Sequence, residues 1–154
     1  MTTLQVRPMT FDSVEYVLAR LSAADRAEMQ ASGLSYTPRL FMEACTGAPV
    51  AGVVFADGEP VAMFGVTQHP SERDCGIVWM VATEKFRATG LAGAKLSQSV
   101  VAQMRAHYGR LMNIVHAEHR RALRWLAWLG FRIYPEPIGP HGAFRLFDME
   151  GAHV

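Results

Sequence analysis

Cysteine is scarce in this chain: Cys45 and Cys75 are its two thiols in 154 residues. So few exclude a disulfide scaffold, and their separation matches no metal-ligand spacing, so both read as free thiols of a reducing compartment. An excess of charge is missing as well. The 15 basic and 14 acidic side chains leave a formal net charge of +1, which gives no general electrostatic pull toward nucleic acid. No run approaches the length of a membrane-spanning helix, and Met1-Thr-Thr-Leu-Gln-Val-Arg7 lacks the apolar stretch of a signal peptide. A cytoplasmic protein with no membrane-spanning segment is the expectation. No His-x-x-x-His pair occurs, and His116 and His119 have little acidic support beyond Glu118, so no metal site is expected. A Walker A loop is excluded because its Gly-Lys-Ser/Thr ending is absent, and a dinucleotide fingerprint lacks its glycines.

What is present argues for an ordered core. Half of the residues are apolar and 19% are charged, and the length suits one domain spanning residues 1–154. Leu4 to Pro8 reads as an opening strand. Thr10 or Asp12 can cap a helix that carries Val14, Val17, Leu18 and Leu21 on one face. Ser22-Ala-Ala-Asp25 resembles a capping box with aspartate in place of glutamate, so a second helix begins there and stops by Gly33. Thr37-Pro38 opens a third helix that ends at Gly47.

The period then changes. Pro49 to Phe55 and Val61 to Val66 are apolar runs flanking Asp57-Gly58, a hairpin signal in which Glu59-Pro60 can lengthen the turn. Cys75 to Ala82 reads as a third strand of this group, with Ile77, Trp79 and Val81 on one face. From Gly90 to about His107, Leu91, Leu96, Val100, Val101 and Met104 recur near helical spacing. Leu111 to Val115 is strand-like. A helix from about His119 to Leu129 buries Ala122, Trp125, Leu126 and Leu129, with Gly130 as left-handed C-cap. Phe131 to Tyr134 and Ala143 to Met149 close the order as strands. The sum is an α/β chain with one mixed sheet and helices on both sides. Arg120, Arg121, Arg124 and Arg132 form either a small anion-attracting face or a solvated helix side.

The most informative stretch is Val81-Ala-Thr-Glu-Lys-Phe-Arg87-Ala-Thr-Gly90-Leu-Ala92, a strand that turns into a small, basic helix start. The first N–H groups of a helix have no partners within it, and their dipoles converge on an anion. Gly90 leaves room beside the turn, Ala92 has only a methyl group, Arg87 adds a positive fork and Thr89 a hydroxyl. A diphosphate held there favours a CoA-type ligand without requiring a metal. On spacing alone, any small-residue helix start looks like this.

The order of motifs adds to that reading. Arg87-x-x-Gly90-x-Ala92 after a strand resembles the Arg/Gln-x-x-Gly-x-Gly/Ala motif of the GCN5-related N-acetyltransferase (GNAT) superfamily. Ala122-x-x-x-Leu126-x-x-Leu129-Gly130-Phe131 resembles its second helix and Gly-Phe ending. The resemblance implies an acetyltransferase-like fold, a central mixed sheet flanked by helices, and transfer of an acetyl group from acetyl-CoA to an amine. It implies that amides around Arg87, Ala88, Thr89, Gly90, Leu91 and Ala92 hold the diphosphate, while backbone at Met80, Val81 and Ala82 pairs with the pantetheine arm. A narrower similarity lies in Ala23-Ala-Asp-Arg-Ala-Glu28, Ile77-Val-Trp-Met-Val-Ala-Thr83 and Leu123-Arg-Trp-Leu-Ala-Trp-Leu-Gly-Phe131. These resemble the small internal virion protein of T7-like podophages and its prophage relatives. That likeness implies a non-catalytic role among virion proteins, in a phage particle.

Acetyl transfer to an amine needs a deprotonated nitrogen, a thioester held beside it and an acid for the leaving thiolate. The superfamily often supplies the acid from a tyrosine on its second helix, where this chain has Leu126; His119 stands at the usual asparagine position. Candidate replacements are His116 as base, Tyr134 as acid and Asn113 to orient a carbonyl or water. Each also has a bland explanation: a surface histidine, a packing tyrosine, an ordinary strand asparagine. Asp25 and Glu28 can approach the acceptor groove as paired carboxylates, or simply stabilise a helix start. Trp79, Trp125 and Trp128 read as core, or as an interface with a partner such as a second copy of the chain.

Overall fold

Thr10, Ser22 and Thr37 each accept a backbone N–H three residues on, and these three caps start the three helices that follow the first strand. The computed structural model describes residues 2–33 and 37–150. Its elements run β1 (Leu4–Arg7), α1 (Phe11–Ala19), α2 (Ala23–Ala31), α3 (Pro38–Ala44), β2 (Val50–Ala56), β3 (Glu59–Gln68), β4 (Cys75–Ala82), α4 (Glu84–Arg87), α5 (Leu91–Arg105), β5 (Arg110–His116), α6 (Arg120–Leu129), β6 (Arg132–Ile133) and β7 (Phe144–Glu150). The strands form one seven-stranded sheet in the order β1-β2-β3-β4-β5-β7-β6. Every neighbouring pair is antiparallel except β4 and β5. This is the mixed sheet that the sequence pattern predicts.

Both faces are covered. Val14 and Val17 of α1 and Phe41 of α3 pack against Val53 and Met63 on one side. Val100 and Met104 of α5 and Leu126 of α6 pack with Val54, Phe64 and Val66 on the other. The middle of β3 is therefore apolar on both faces and buried from Val61 to Val66.

Local chemistry refines four expectations. Asp57 and Gly58 adopt φ of 49° and 84°, so the hairpin turn takes two residues and pairing begins at Ala56 and Glu59. Pro60 is accommodated by a bulge at Val54 and Phe55 instead of lengthening the turn. Leu91 is 65% exposed and leaves the apolar face of α5, which is built from Gly93, Ser97, Val100 and Met104. In α6 only Leu126 is buried, because Ala122, Trp125 and Leu129 border a cleft beneath the helix; Trp128 does not border it and is 49% exposed. Arg132 also leaves the expected arginine group. It lies on β6 and binds Asp148.

Candidate functional site

The parallel pair β4–β5 stays in register only from Cys75 to Ile77 against Arg110 to Met112. Beyond that point each strand keeps its other neighbour: β4 pairs with β3 up to Ala82, and β5 with β7 up to His116. The two strands therefore diverge into a wedge whose inner edges have lost their ladder. Such edges must find other partners or face a ligand. A cavity of about 820 Å³ opens through this wedge and passes both faces of β4. Its walls reach from Gly90, Gly93 and Ala94 at the start of α5, under Ala122, Trp125 and Leu126 of α6, to Met29, Leu40 and Phe41 of α2 and α3.

Most of the loosened edge groups are satisfied by side chains. At the root, Asn113 Nδ2 donates to the Val78 carbonyl at 2.6 Å, and its Oδ1 accepts the Ile114 N–H at 2.7 Å. At the mouth the start of α2 takes over. Ser22 N–H donates to the Ala82 carbonyl at 2.9 Å, and Asp25 Oδ2 accepts the Ala82 N–H at 2.8 Å. Glu28 Oε2 accepts the His116 N–H at 3.2 Å. Between them, among the described residues, the Met80 N–H and C=O on the wedge edge have no recorded partner.

Behind Asp25 lies a second layer. His119 caps α6 with Nδ1, which accepts the Ala122 N–H at 3.3 Å. Its proton is thereby assigned to Nε2, which donates to Asp25 Oδ1 at 2.9 Å. Arg87 turns inward as well: its guanidinium lies 3.7 Å from Asp25 and 3.4 Å from Ser22 Oγ. Arg87 Nε is buried and, among the described residues, has no hydrogen-bond partner. Burial pushes the Glu28 carboxyl above its ordinary value, with the His116 N–H and nearby imidazoles only partly offsetting it. The half-exposed Cys45 thiol is pushed up to about 11 by burial and plays no part here.

The turn before α5 has a backbone reason for its glycine. Gly90 adopts φ 58° and ψ −124°, a region open in practice to glycine, and an added Cβ there would meet nothing. The constraint is conformational rather than steric. Thr89 Oγ1 donates to the Phe86 carbonyl, and Ala94 N–H bonds the Gly90 carbonyl, so the α5 ladder starts at Ala94. Ala88, Gly90, Leu91 and Ala92 are exposed around the free first amides. Arg87 differs from its expected role, for its side chain faces the interior while its backbone stays in the turn.

The structure brings some of the expected site residues together and separates others. Met80, Val81, Ala82, Arg87 and Gly90 line the cleft together with Asn113. His116 contributes its backbone N–H to Glu28, while its ring accepts the Glu118 N–H and meets Phe144 edge-on. Tyr134 lies elsewhere: its hydroxyl donates to Asp148, a carboxylate 1% exposed that also binds Arg110 and Arg132. Two further residues join the cleft without having been singled out for a role in it: His119, which stands at the superfamily's asparagine position, and Arg121, one of the clustered arginines. The latter lines the cavity and lies 3.6 Å from Glu84. A signal for His119 existed in its position at a helix start. Among the described residues, no group of three or more metal-ligating side chains is present, and no helix is long and apolar enough to cross a membrane.

No family model matches the chain, and no curated protein matches it. Solved structures do. Ard1 from Thermoplasma volcanium superposes with a TM-score of 0.71 at 16% identity, covering 97% of this chain and 99% of that one. An N-acetyltransferase from Staphylococcus aureus Mu50 gives 0.69 at 11% identity, covering 97% of each. An acetyltransferase of the GNAT family from Bacillus anthracis gives 0.68 at 16% identity, covering 96% and 94%. At such identities the likeness establishes the fold: the chain has the architecture of GNAT acetyltransferases.

Proposed function

We propose that this protein, acting as a single GNAT-like domain over residues 1–154, transfers an acetyl group from acetyl-CoA to an amine. The observation that carries the reading is the wedge between β4 and β5, which opens a through-going cleft beside the unpaired amides at the start of α5. The donor's shape suits the groups left over. An extended amide-bearing arm can pair with the free N–H and C=O of Met80, and an acceptor oxygen can satisfy the buried Nε of Arg87. The first amides of α5 offer donors for a diphosphate, with Arg121 at the same wall. Acetyl-CoA supplies the thioester. The chain's own part is to align it with the amine and keep water out of the wedge.

A second reading rests on a specific observation. Leu126, buried in the cleft wall, puts a hydrocarbon where the superfamily often has a hydroxyl. Arg87 and the Ala82 amide are already engaged by Asp25. In that reading the fold serves contacts with other proteins, phage virion proteins included, and not catalysis.

Calorimetric titration with acetyl-CoA and with free CoA separates the two, with Gly90→Glu protein as control. The transfer reading expects binding by the wild type and its loss in Gly90→Glu. A folded wild type that binds neither ligand removes it.

A further inference from the structure

The far end of the cleft, beyond the wedge, has a composition of its own. Met29, Leu40, Phe41, Ile77 and Trp79 form apolar walls there, and Phe41 and Trp79 meet as a tilted ring pair with centroids 5.1 Å apart. Glu28 stands in the same wall. One of its oxygens is anchored on the His116 N–H, and among the described residues the other accepts no hydrogen bond. A carboxylate held at one oxygen and free at the other, in an apolar chamber, is complementary to a cation with an apolar body.

Resting on the acetyl-transfer reading, we propose that this end of the cleft seats a primary amine carried on an apolar or aromatic group, with Glu28 receiving the ammonium and taking its proton. The neighbouring groups leave this role to Glu28. Asp25, on the same helix, spends its oxygens on the Ala82 N–H, the His119 Nε2–H and the Arg87 guanidinium. His119, at the start of α6, has both ring nitrogens engaged. His116, on β5, turns its ring to the Glu118 N–H. Arg87, from α4, reaches Asp25 rather than Glu28. The raised proton affinity of the half-buried Glu28 is in keeping with its task.

In the transfer, the ammonium gives one proton to the Glu28 carboxylate and becomes a free amine. Its lone pair forms the C–N bond at the thioester carbonyl carbon, and the C–S bond breaks. The surplus proton on nitrogen goes to the departing thiolate, giving an amide and a thiol. Glu28 then releases its proton to solvent.

The test uses 2-phenylethylamine and ethanolamine as acceptors, with acetyl-CoA as donor. It compares the full-length wild type with Glu28→Gln, and with Leu40→Lys at the exposed rim of the chamber. The expected result is a kcat/KM at least tenfold higher for phenylethylamine. Glu28→Gln lowers kcat by about 100-fold, loses the acid limb of the pH profile and keeps its affinity for free CoA within twofold. Leu40→Lys raises KM for phenylethylamine severalfold. A Glu28→Gln protein within threefold of wild type, or equal use of both amines, overturns the inference while leaving acetyl-CoA binding and the transfer reading intact. Amine titrations with and without free CoA cover the converse. Binding of phenylethylamine that depends on Glu28, in a protein that binds no acetyl-CoA, supports the seat and removes the transfer; binding of neither removes both.

Discussion

Asp25 and Glu28 lie one helical turn apart on α2 and cap different strands: Asp25 takes the N–H of Ala82 on β4, Glu28 that of His116 on β5. One helix thus spans the mouth of the wedge and satisfies one backbone N–H on each of its edges. The two carboxylates are unequally engaged, Asp25 with three partners and Glu28 with one. The first reads as structure, the second as a group with capacity left for a ligand.

Removing Asp25 strips an acceptor from a backbone N–H, orphans the His119 Nε2–H and leaves Arg87 without its counter-charge. Asp25→Ala is expected to cost about 3 kcal/mol. Asp25→Asn costs less, since its carbonyl oxygen can still accept one bond. Urea unfolding at unchanged m-value measures both. Equal stability of Asp25→Ala and wild type contradicts the capping role.

That role shows where sequence reading stops. Ser22-x-x-Asp25 correctly marks the start of α2, and the Ser22 side chain does cap it. The partner of Asp25 lies 57 residues on, however, and only the divergence of β4 from β5 brings it there. Gly130 is legible for a local reason, since a left-handed cap depends on the residue's own backbone. Leu91 misleads because it is apolar and close in sequence to the recurring apolar residues, whereas at about 100° per residue it stands on the side of α5 opposite Gly93, Ser97, Val100 and Met104 and is exposed. The strand-to-helix turn is readable from residue types. The inward swing of the Arg87 side chain is not, because it answers to Asp25 on another helix.

Two carboxylates give opposite pH signatures. Glu28 has a raised proton affinity when folded, so the native chain binds more protons and stability from this group falls as pH rises from about 4 through the raised value. Glu28→Gln therefore gains on the wild type with rising pH. For Asp148, burial favours the neutral form, but Arg110, Tyr134 and Arg132 outweigh it and hold the carboxyl below its ordinary value. Its contribution is present above about pH 4 and is lost as pH falls through the lowered value. Asp148→Asn is expected to cost ~3 kcal/mol at neutral pH and less in acid. Unfolding curves from pH 3 to 8 check both slopes.

At Gly90 the backbone, not space, sets the cost. Gly90→Ala meets no neighbouring atom yet must hold φ 58° with a Cβ, so a loss of about 1–3 kcal/mol is expected. Ala92→Gly, in the exposed first turn of α5, is the contrasting change and should cost well under that. Thermal unfolding of both proteins reads the difference, and equal losses would show that the turn relaxes.

Leu126 offers the sharpest separation between a working transferase and a retained fold. Its side chain is part of the core yet borders the cleft along with Ala122 and Trp125, so a larger side chain can reach into the cleft. Leu126→Tyr is expected to fold with a loss of about 1–3 kcal/mol. Its hydroxyl would stand in the cleft wall, and on the acetyl-transfer reading a proton donor there speeds departure of the thiolate. If the cleft binds acetyl-CoA, turnover with an amine acceptor should rise at least tenfold while affinity for free CoA stays within twofold. The variant's kcat is the informative quantity, because added binding alone would lower KM and leave kcat unchanged. A folded Leu126→Tyr protein that binds acetyl-CoA yet transfers no faster than wild type shows that proton supply to sulfur does not limit this site.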